Sequence, residues 1–170
     1  MRPGVHIRPG HPADAPRLAV LAAQVWLHTY CTDGISDEVA RYVLAEFTPG
    51  KFAQALNEPG KHITVAERGD SLVGFAVVKR GAACPAEGVA STVELQTLYV
   101  QAHFLGHGVG KALIAAAEEV AQSALWLTVN AKNDRAIAFY ARQGYEKVGT
   151  TYFVLGEGRH ENHVLVGQGT

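Results

Sequence analysis

The sequence predicts an α/β (α+β) fold in a single domain over residues 1–170. The sheet is mixed and mostly antiparallel, with about seven strands and a central parallel pair, and about four helices flank it. Three observations lead there. Short β-rich runs bounded by glycine turns recur along the chain, and other stretches repeat apolar residues at helical spacing. Between them a strand, a glycine-spaced loop, an amphipathic helix and a compact apolar run follow one another, the order of a crossover to a parallel neighbour. A chain of 170 residues suits one core that buries roughly two thirds of its unfolded surface.

Taken in order, Val5 to Arg8 reads as a short first strand. Pro12 to Thr29 has apolar residues at 18, 21, 22, 25 and 26, one stripe of a helix. Ser36 to Phe47 opens with a capping serine and early acids, which predicts a second helix; Pro49-Gly50 breaks it before another short helical turn through Leu56. His62–Arg68 and Ser71–Arg80 are β-rich and joined by Gly69-Asp70, a hairpin whose turn uses glycine's access to positive φ. Gly81 to Ala90, with Cys84 and Pro85 and no period, is a loop.

In the run Val93 to Val100, Val93 and Leu95 occupy odd positions but Leu98 and Val100 even ones, so the alternation slips at Gln96 and Thr97. A β-bulge produces such a slip and leaves backbone groups for an extended ligand; a strand buried on both faces explains the same pattern. Ala124 to Val129 is apolar with little alternation, a central strand parallel to the preceding one. Asn133 to Arg142 is helical and ends near Gly144. Glu146–Phe153 and Glu161–Val166 are closing strands around Gly156-Glu-Gly158. There is no internal repeat and no interdomain linker.

The stretch Leu105-Gly-His-Gly-Val-Gly-Lys111 carries the chemistry. Gly106, Gly108 and Gly110 leave amides uncovered where a helix begins, with Val109, Leu113, Ala117, Val120 and Ala121 on one face. A diphosphate fits against several amides and the positive helix end. The same motif also occurs as plain loop chemistry, and its position between a β-rich run and a helix is what gives it weight. A Rossmann loop spaces its glycines differently and is followed about 20 positions later by an acid.

Composition excludes other classes. Charged residues are 18% and the net charge is -1, so no basic field points to nucleic acid or to an anionic membrane. Cys31 and Cys84 neither frame a disulfide-rich fold nor supply zinc spacing, and no metal is expected. The first ten residues lack a secretory apolar core, and no run approaches the roughly 18 apolar residues of a membrane span. A soluble, cytoplasmic protein is expected.

These motifs resemble the GCN5-related N-acetyltransferase (GNAT) superfamily, whose loop reads Gln/Arg-x-x-Gly-x-Gly/Ala. Gly108 and Gly110 match its glycines; Leu105 stands at the first position, so the resemblance implies backbone contacts there without the usual side chain. Over most of the chain the similarity is closest to the PaiA-type spermidine/spermine N-acetyltransferases. It rests on Glu94-Leu-Gln-Thr-Leu-Tyr-Val100, Phe104, His107-Gly-Val-Gly-Lys111, Trp126-Leu-Thr-Val129, Lys132-Asn133 and Ala136-Ile-Ala-Phe-Tyr140. Thr29-Tyr30, Arg41-Tyr42 and Gly149 to Gly156 fit more loosely.

The resemblance implies acetyl-coenzyme A as co-substrate and direct attack by an amine. Such a site removes a proton from an ammonium, stabilises an oxyanion and protonates a thiolate. It gives Tyr140, with a reference pKa of about 10, the role of proton donor to the sulfur. Glu94 is either a general base acting through water or a charge that attracts the amine, and Gln96 on the same face orients that water. Backbone groups of Leu98, Tyr99 and Val100 meet the acetyl carbonyl and pantetheine arm; Leu105, Gly106, His107, Gly108, Val109, Gly110 and Lys111 hold the diphosphate. Asn133 contacts pantetheine, caps its helix, or does both. His103 and His107 are given no catalytic role, and Arg142 and Lys132 either reach the 3'-phosphate or are ordinary exposed cations.

The expected substrate is a small primary amine, first of all spermidine or spermine, with Tyr30 lining its pocket beside the acidic Asp33, Asp37, Glu38 and Glu46. Helix capping and a solvated face explain those acids equally well. A peptide N-terminus or lysine is the alternative acceptor, and a catalytically silent acetyl-coenzyme A sensor is the alternative of another class. Exposed strand edges leave a homodimer open.

Overall fold

A computed structural model describes residues 4–169; of the expected domain span 1–170, residues 1–3 and 170 lie outside the described residues. Seven strands form one mixed sheet: β1 (His6–Pro9), β2 (Lys61–Arg68), β3 (Ser71–Arg80), β4 (Val93–Val100), β5 (Trp126–Asn130), β6 (Glu146–Leu155) and β7 (Gly158–Val166). Their order is β1-β2-β3-β4-β5-β7-β6, and β4 and β5 are the parallel pair. The helices are α1 (Ala15–Tyr30), α2 (Asp37–Glu46), α3 (Pro49–Asn57), α4 (Val109–Ala121) and α5 (Asp134–Arg142). The predicted fold class is therefore observed. The four helical regions are present, the second of them divided into α2 and α3.

That division corrects the reading of Pro49. Ser36 Oγ accepts a hydrogen bond from the Val39 amide at 3.2 Å and starts α2; Thr48 Oγ1 does the same for Lys51 at 3.2 Å and starts α3. Pro49 takes the first position of α3, where its missing N–H has no intrahelical carbonyl to reach, so it opens a helix of nine residues. Each such cap contributes about 1 kcal/mol.

The chain gathers into two compact units. One holds residues up to Val77 together with Thr97–Ala117, the other Val78–Gln96 and residues from Glu118 onward. The division inside β4 falls at Gln96 and Thr97, where the apolar alternation slips. Val93 and Leu95 are buried and Gln96 exposed, whereas residues 97–100 are all half-buried.

In the first unit β1 pairs antiparallel with β2, Ile7 opposite Ala66. The α1 stripe buries Leu18, Leu21 and Ala22 against Ile63, Val65, Leu72, Phe75 and Val77, with Phe52 and Leu56 of α3 at the margin. Each large aliphatic side chain so buried contributes roughly 1.5–3 kcal/mol. Asp14, 1% exposed, ties this layer together. Its carboxylate accepts from Arg8 at 2.8 and 3.0 Å, from Arg17, and from the His11 amide at 2.8 Å, while Arg8 also donates to Glu67 at 2.9 and 2.8 Å. The Arg8 hydrogen bonds hold the Asp14 carboxyl down at about 2.

Gly74 of β3 lies close against the first turns of α4. A β-carbon there would lie 2.9 Å from the Tyr99 carbonyl oxygen, 3.1 Å from Leu113 Cδ1 and 3.4 Å from Val109 Cγ1. Glycine thus lets the first turns of α4 lie close on β3. The Gln101 amide donates to the Val73 carbonyl at 2.9 Å and carries the chain from β4 into the loop.

In the second unit Glu94 stands opposite Trp126 in the parallel pair, and β7 runs antiparallel to both β5 and β6. The closing strands are longer than expected. Leu155 pairs with Gly158, so the turn is only Gly156-Glu157, with Gly156 at φ +58°, and Gly158–His160 belong to β7. The register shifts once, between Lys147 and Gly149. Among the described residues no helix is long and apolar enough to cross a membrane.

Candidate functional site

The glycine loop lies in the first unit. β4 ends at Val100 with Leu98, Tyr99 and Val100 half-buried, and Tyr99 sets its ring edge-on to Phe75 at 5.6 Å. A short 3-10 turn over Ala102–Phe104 follows. Phe104 donates its amide to Gln101 at 2.9 Å, Leu105 to Ala102 at 3.3 Å and His107 to Phe104 at 3.4 Å; the amides of Gly106 and Gly108 are not used in this turn.

Gly106 and Gly108 both have positive φ, +77° and +80°, and a β-carbon on either would meet nothing within 4 Å. The loop is open on that side. The Ala112 amide donates to the Gly108 carbonyl at 3.0 Å, which makes Gly108 the residue from which α4 starts. The amides of Val109, Gly110 and Lys111 then fall in the first turn, where helical N–H groups have no carbonyl four residues back. No acid occurs from Gln101 to Lys111, and His103, His107 and Lys111 are exposed. His107 Nδ1 lies 2.9 Å from the Leu105 carbonyl oxygen. Such a loop, with first-turn amides, no acid in its own sequence and space beside its glycines, fits a diphosphate.

Tyr30, also in the first unit, ends α1. Its ring lies 5.2 Å from Trp26, which is 4.9 Å from Tyr42 and 6.3 Å from Phe47, so α1 and α2 share an aromatic cluster. Burial raises the Tyr30 and Tyr42 hydroxyls, with Glu46 adding to the latter. Asp33, Asp37, Glu38 and Glu46 are exposed on this segment, and Glu46 pairs with Lys51 at 3.1 Å. An open cleft of about 430 Å³ between α1 and the β2–β3 turn, lined by residues such as Arg17, Gln24, Ser71 and Gln101, contains none of the candidate residues.

The second unit carries Glu94, Gln96, Asn133 and Tyr140. Glu94 is half-buried and Gln96 exposed, both alternating with the buried Val93 and Leu95, so they share a face of β4 as expected. Asn133 caps α5: its Oδ1 accepts from the Ala136 amide at 3.2 Å and its carbonyl from Ile137 at 3.0 Å. Lys132 and Arg142 are exposed.

Tyr140 is 8% exposed. Its ring meets Phe139 edge-on at 5.3 Å and Tyr145 at 5.8 Å, and its carbonyl accepts from the Tyr145 amide at 3.0 Å. Behind it stands a pair that no motif announces: Tyr145 Oη donates to Glu118 Oε1 at 3.0 Å. Gly144, at φ +85°, ends α5 and turns the chain so that Tyr145 comes back beside Tyr140. Among the described residues no three His, Cys, Asp or Glu side chains gather as a metal-binding group.

Comparison with known proteins adds what geometry alone lacks. The model of the Acetyltransferase (GNAT) family matches residues 24–145. An uncharacterized N-acetyltransferase of Mycobacterium tuberculosis is 33% identical over 158 residues, 90% of this chain and 96% of the relative. The N-alpha-acetyltransferase RimI of the same organism is 30% identical over 139 residues, 81% of this chain and 75% of the relative. Among solved structures, the PaiA N-acetyltransferase of Thermoplasma acidophilum in complex with coenzyme A has the same fold, with a TM-score of 0.79 at 18% identity over 97% of this chain and 99% of that one.

Proposed function

The chain belongs to the acetyltransferase (GNAT) family and is an acetyl-coenzyme A dependent N-acetyltransferase, and from that premise we propose that its acceptor is a small polycationic amine such as spermidine or spermine. The observation that carries this is the exposed acidic segment Asp33, Asp37 and Glu38, with Glu46 shared with Lys51, beside Tyr30, the exposed ring of the aromatic cluster. Carboxylates draw a polycation, and aromatic faces accept ammonium groups.

When bound, acetyl-coenzyme A supplies the thioester carbonyl that the amine attacks. The amides of Gly106 and Gly108 and of the first turn of α4 through Lys111 hold its diphosphate, and the β4 backbone at Leu98, Tyr99 and Val100 takes the pantetheine arm, joined by Asn133. Glu94 receives the proton of the incoming ammonium through water or draws that ammonium by charge, with Gln96 orienting the water. Tyr140 gives its hydroxyl proton to the departing sulfur.

The RimI relative favours a second reading, in which the acceptor is the α-amine of a peptide. One assay separates the two. Thiol release from acetyl-coenzyme A is followed across spermidine, spermine, aminoglycosides and short peptides. Turnover with the polyamines supports the first reading, turnover with peptides alone replaces it with the second, and turnover with aminoglycosides alone overturns both.

A further inference from the structure

We propose that Arg68, at the end of β2, supplies the guanidinium that grips the coenzyme's diphosphate, an inference that rests on the glycine loop being the coenzyme site. The loop offers its amides and the exposed Lys111 of the first turn of α4, but Leu105, three residues before Gly108, gives it no guanidinium of its own. Arg68 comes to the same loop from another strand. Its Cζ stands 5.4 Å from the centre of the Phe104 ring, and Phe104 is the residue whose carbonyl accepts from His107 and closes the turn.

The guanidinium is uncommitted in a way its neighbours are not. Arg8 and Arg17 are both taken up by Asp14 and Glu67. Arg68 is half-buried and, among the described residues, has no carboxylate partner; its guanidinium lies over the Phe104 ring. An aromatic face under a guanidinium pre-orders it and leaves its N–H edge for an oxyanion. With Gly106 and Gly108 open above the turn, the anion that completes this arrangement is a diphosphate, which an arginine binds bidentately.

The test measures affinities by calorimetry for coenzyme A, dephospho-coenzyme A and 4'-phosphopantetheine, using the native chain, Arg68→Gln, Arg68→Lys and Phe104→Leu, each first shown to melt like the native chain. Arg68→Gln is expected to weaken coenzyme A and dephospho-coenzyme A alike, by about tenfold, and 4'-phosphopantetheine, which has one phosphate, clearly less. Arg68→Lys recovers part of the loss, and Phe104→Leu loses a smaller factor than Arg68→Gln.

Unchanged affinity in Arg68→Gln overturns the inference while leaving the coenzyme site intact. A loss confined to coenzyme A, absent with dephospho-coenzyme A, overturns it too, because the contact is then to the 3'-phosphate. If the native chain binds no coenzyme A, the glycine-loop reading falls and the inference with it.

Discussion

The hydroxyl of Tyr145 donates to the carboxylate of Glu118 at 3.0 Å, with the Tyr145 ring 5.8 Å from that of Tyr140. Burial and the Glu118 charge push the Tyr145 hydroxyl well above the ordinary tyrosine value, so it stays protonated at any working pH. It is therefore a fixed donor that holds its neighbourhood in place. Tyr145→Phe removes that donor and leaves Glu118 without its partner, at a cost of about 1–3 kcal/mol in stability. Chemical denaturation measures this, and the accompanying fall in kcat stays smaller than that of Tyr140→Phe.

Tyr140→Phe keeps the ring against Phe139 and Tyr145 and removes only the hydroxyl. If that hydroxyl protonates the departing thiolate, kcat drops by roughly 10²–10⁴ while coenzyme A affinity stays within about threefold. Steady-state rates beside calorimetric titration decide it. An equal loss in affinity and rate contradicts the donor role.

Acid weakens the Asp14 network in a defined window. The folded carboxyl has a pKa of about 2 against an ordinary 3.8, so its contribution is fully present above the ordinary value and is lost as pH falls through about 2. The shift corresponds to about 2 kcal/mol. Glu67 is lowered in the same sense by Arg8. Urea unfolding of native and Asp14→Asn chains at about pH 5 and pH 2 should show the native chain losing that much more than the variant on acidification.

Gly74→Ala places a methyl 2.9 Å from a backbone oxygen, which cannot swing aside as a side chain can. The expected cost is about 1–3 kcal/mol. Because the same methyl presses on Val109 and Leu113 at the start of α4, coenzyme A affinity falls as well. A destabilised variant with native affinity would separate β3 packing from the loop.

Local chemistry made most of the fold legible. Periodicity marks α1 and α4 because each buries one stripe, and Ser36 and Asn133 are read as caps from residue type alone. The slip of alternation in Val93–Val100 is visible too, and it falls where the two units divide. Pro49 misleads because a proline both ends and begins helices, and only the Thr48 hydroxyl bond to Lys51 decides which. Pairs distant in sequence leave no local trace. Glu118 and Tyr145 are 27 residues apart, Arg8 and Glu67 are 59 apart, and Arg68 meets Phe104 from a strand whose own pattern says nothing of the loop.

The chain's two tryptophans fall one in each unit, Trp26 in the aromatic cluster of α1 and α2 and Trp126 at the start of β5, and both are 6% exposed. Each indole is thus an optical label already built into its own half. Trp126 donates its Nε1 hydrogen to the Ala82 carbonyl at 2.8 Å, whereas Trp26 is surrounded by tyrosine and phenylalanine rings, so the two differ in emission environment. Replacing one at a time with phenylalanine yields two single-fluorophore proteins. Their melting curves would coincide if the halves unfold cooperatively and part company if one half loosens first.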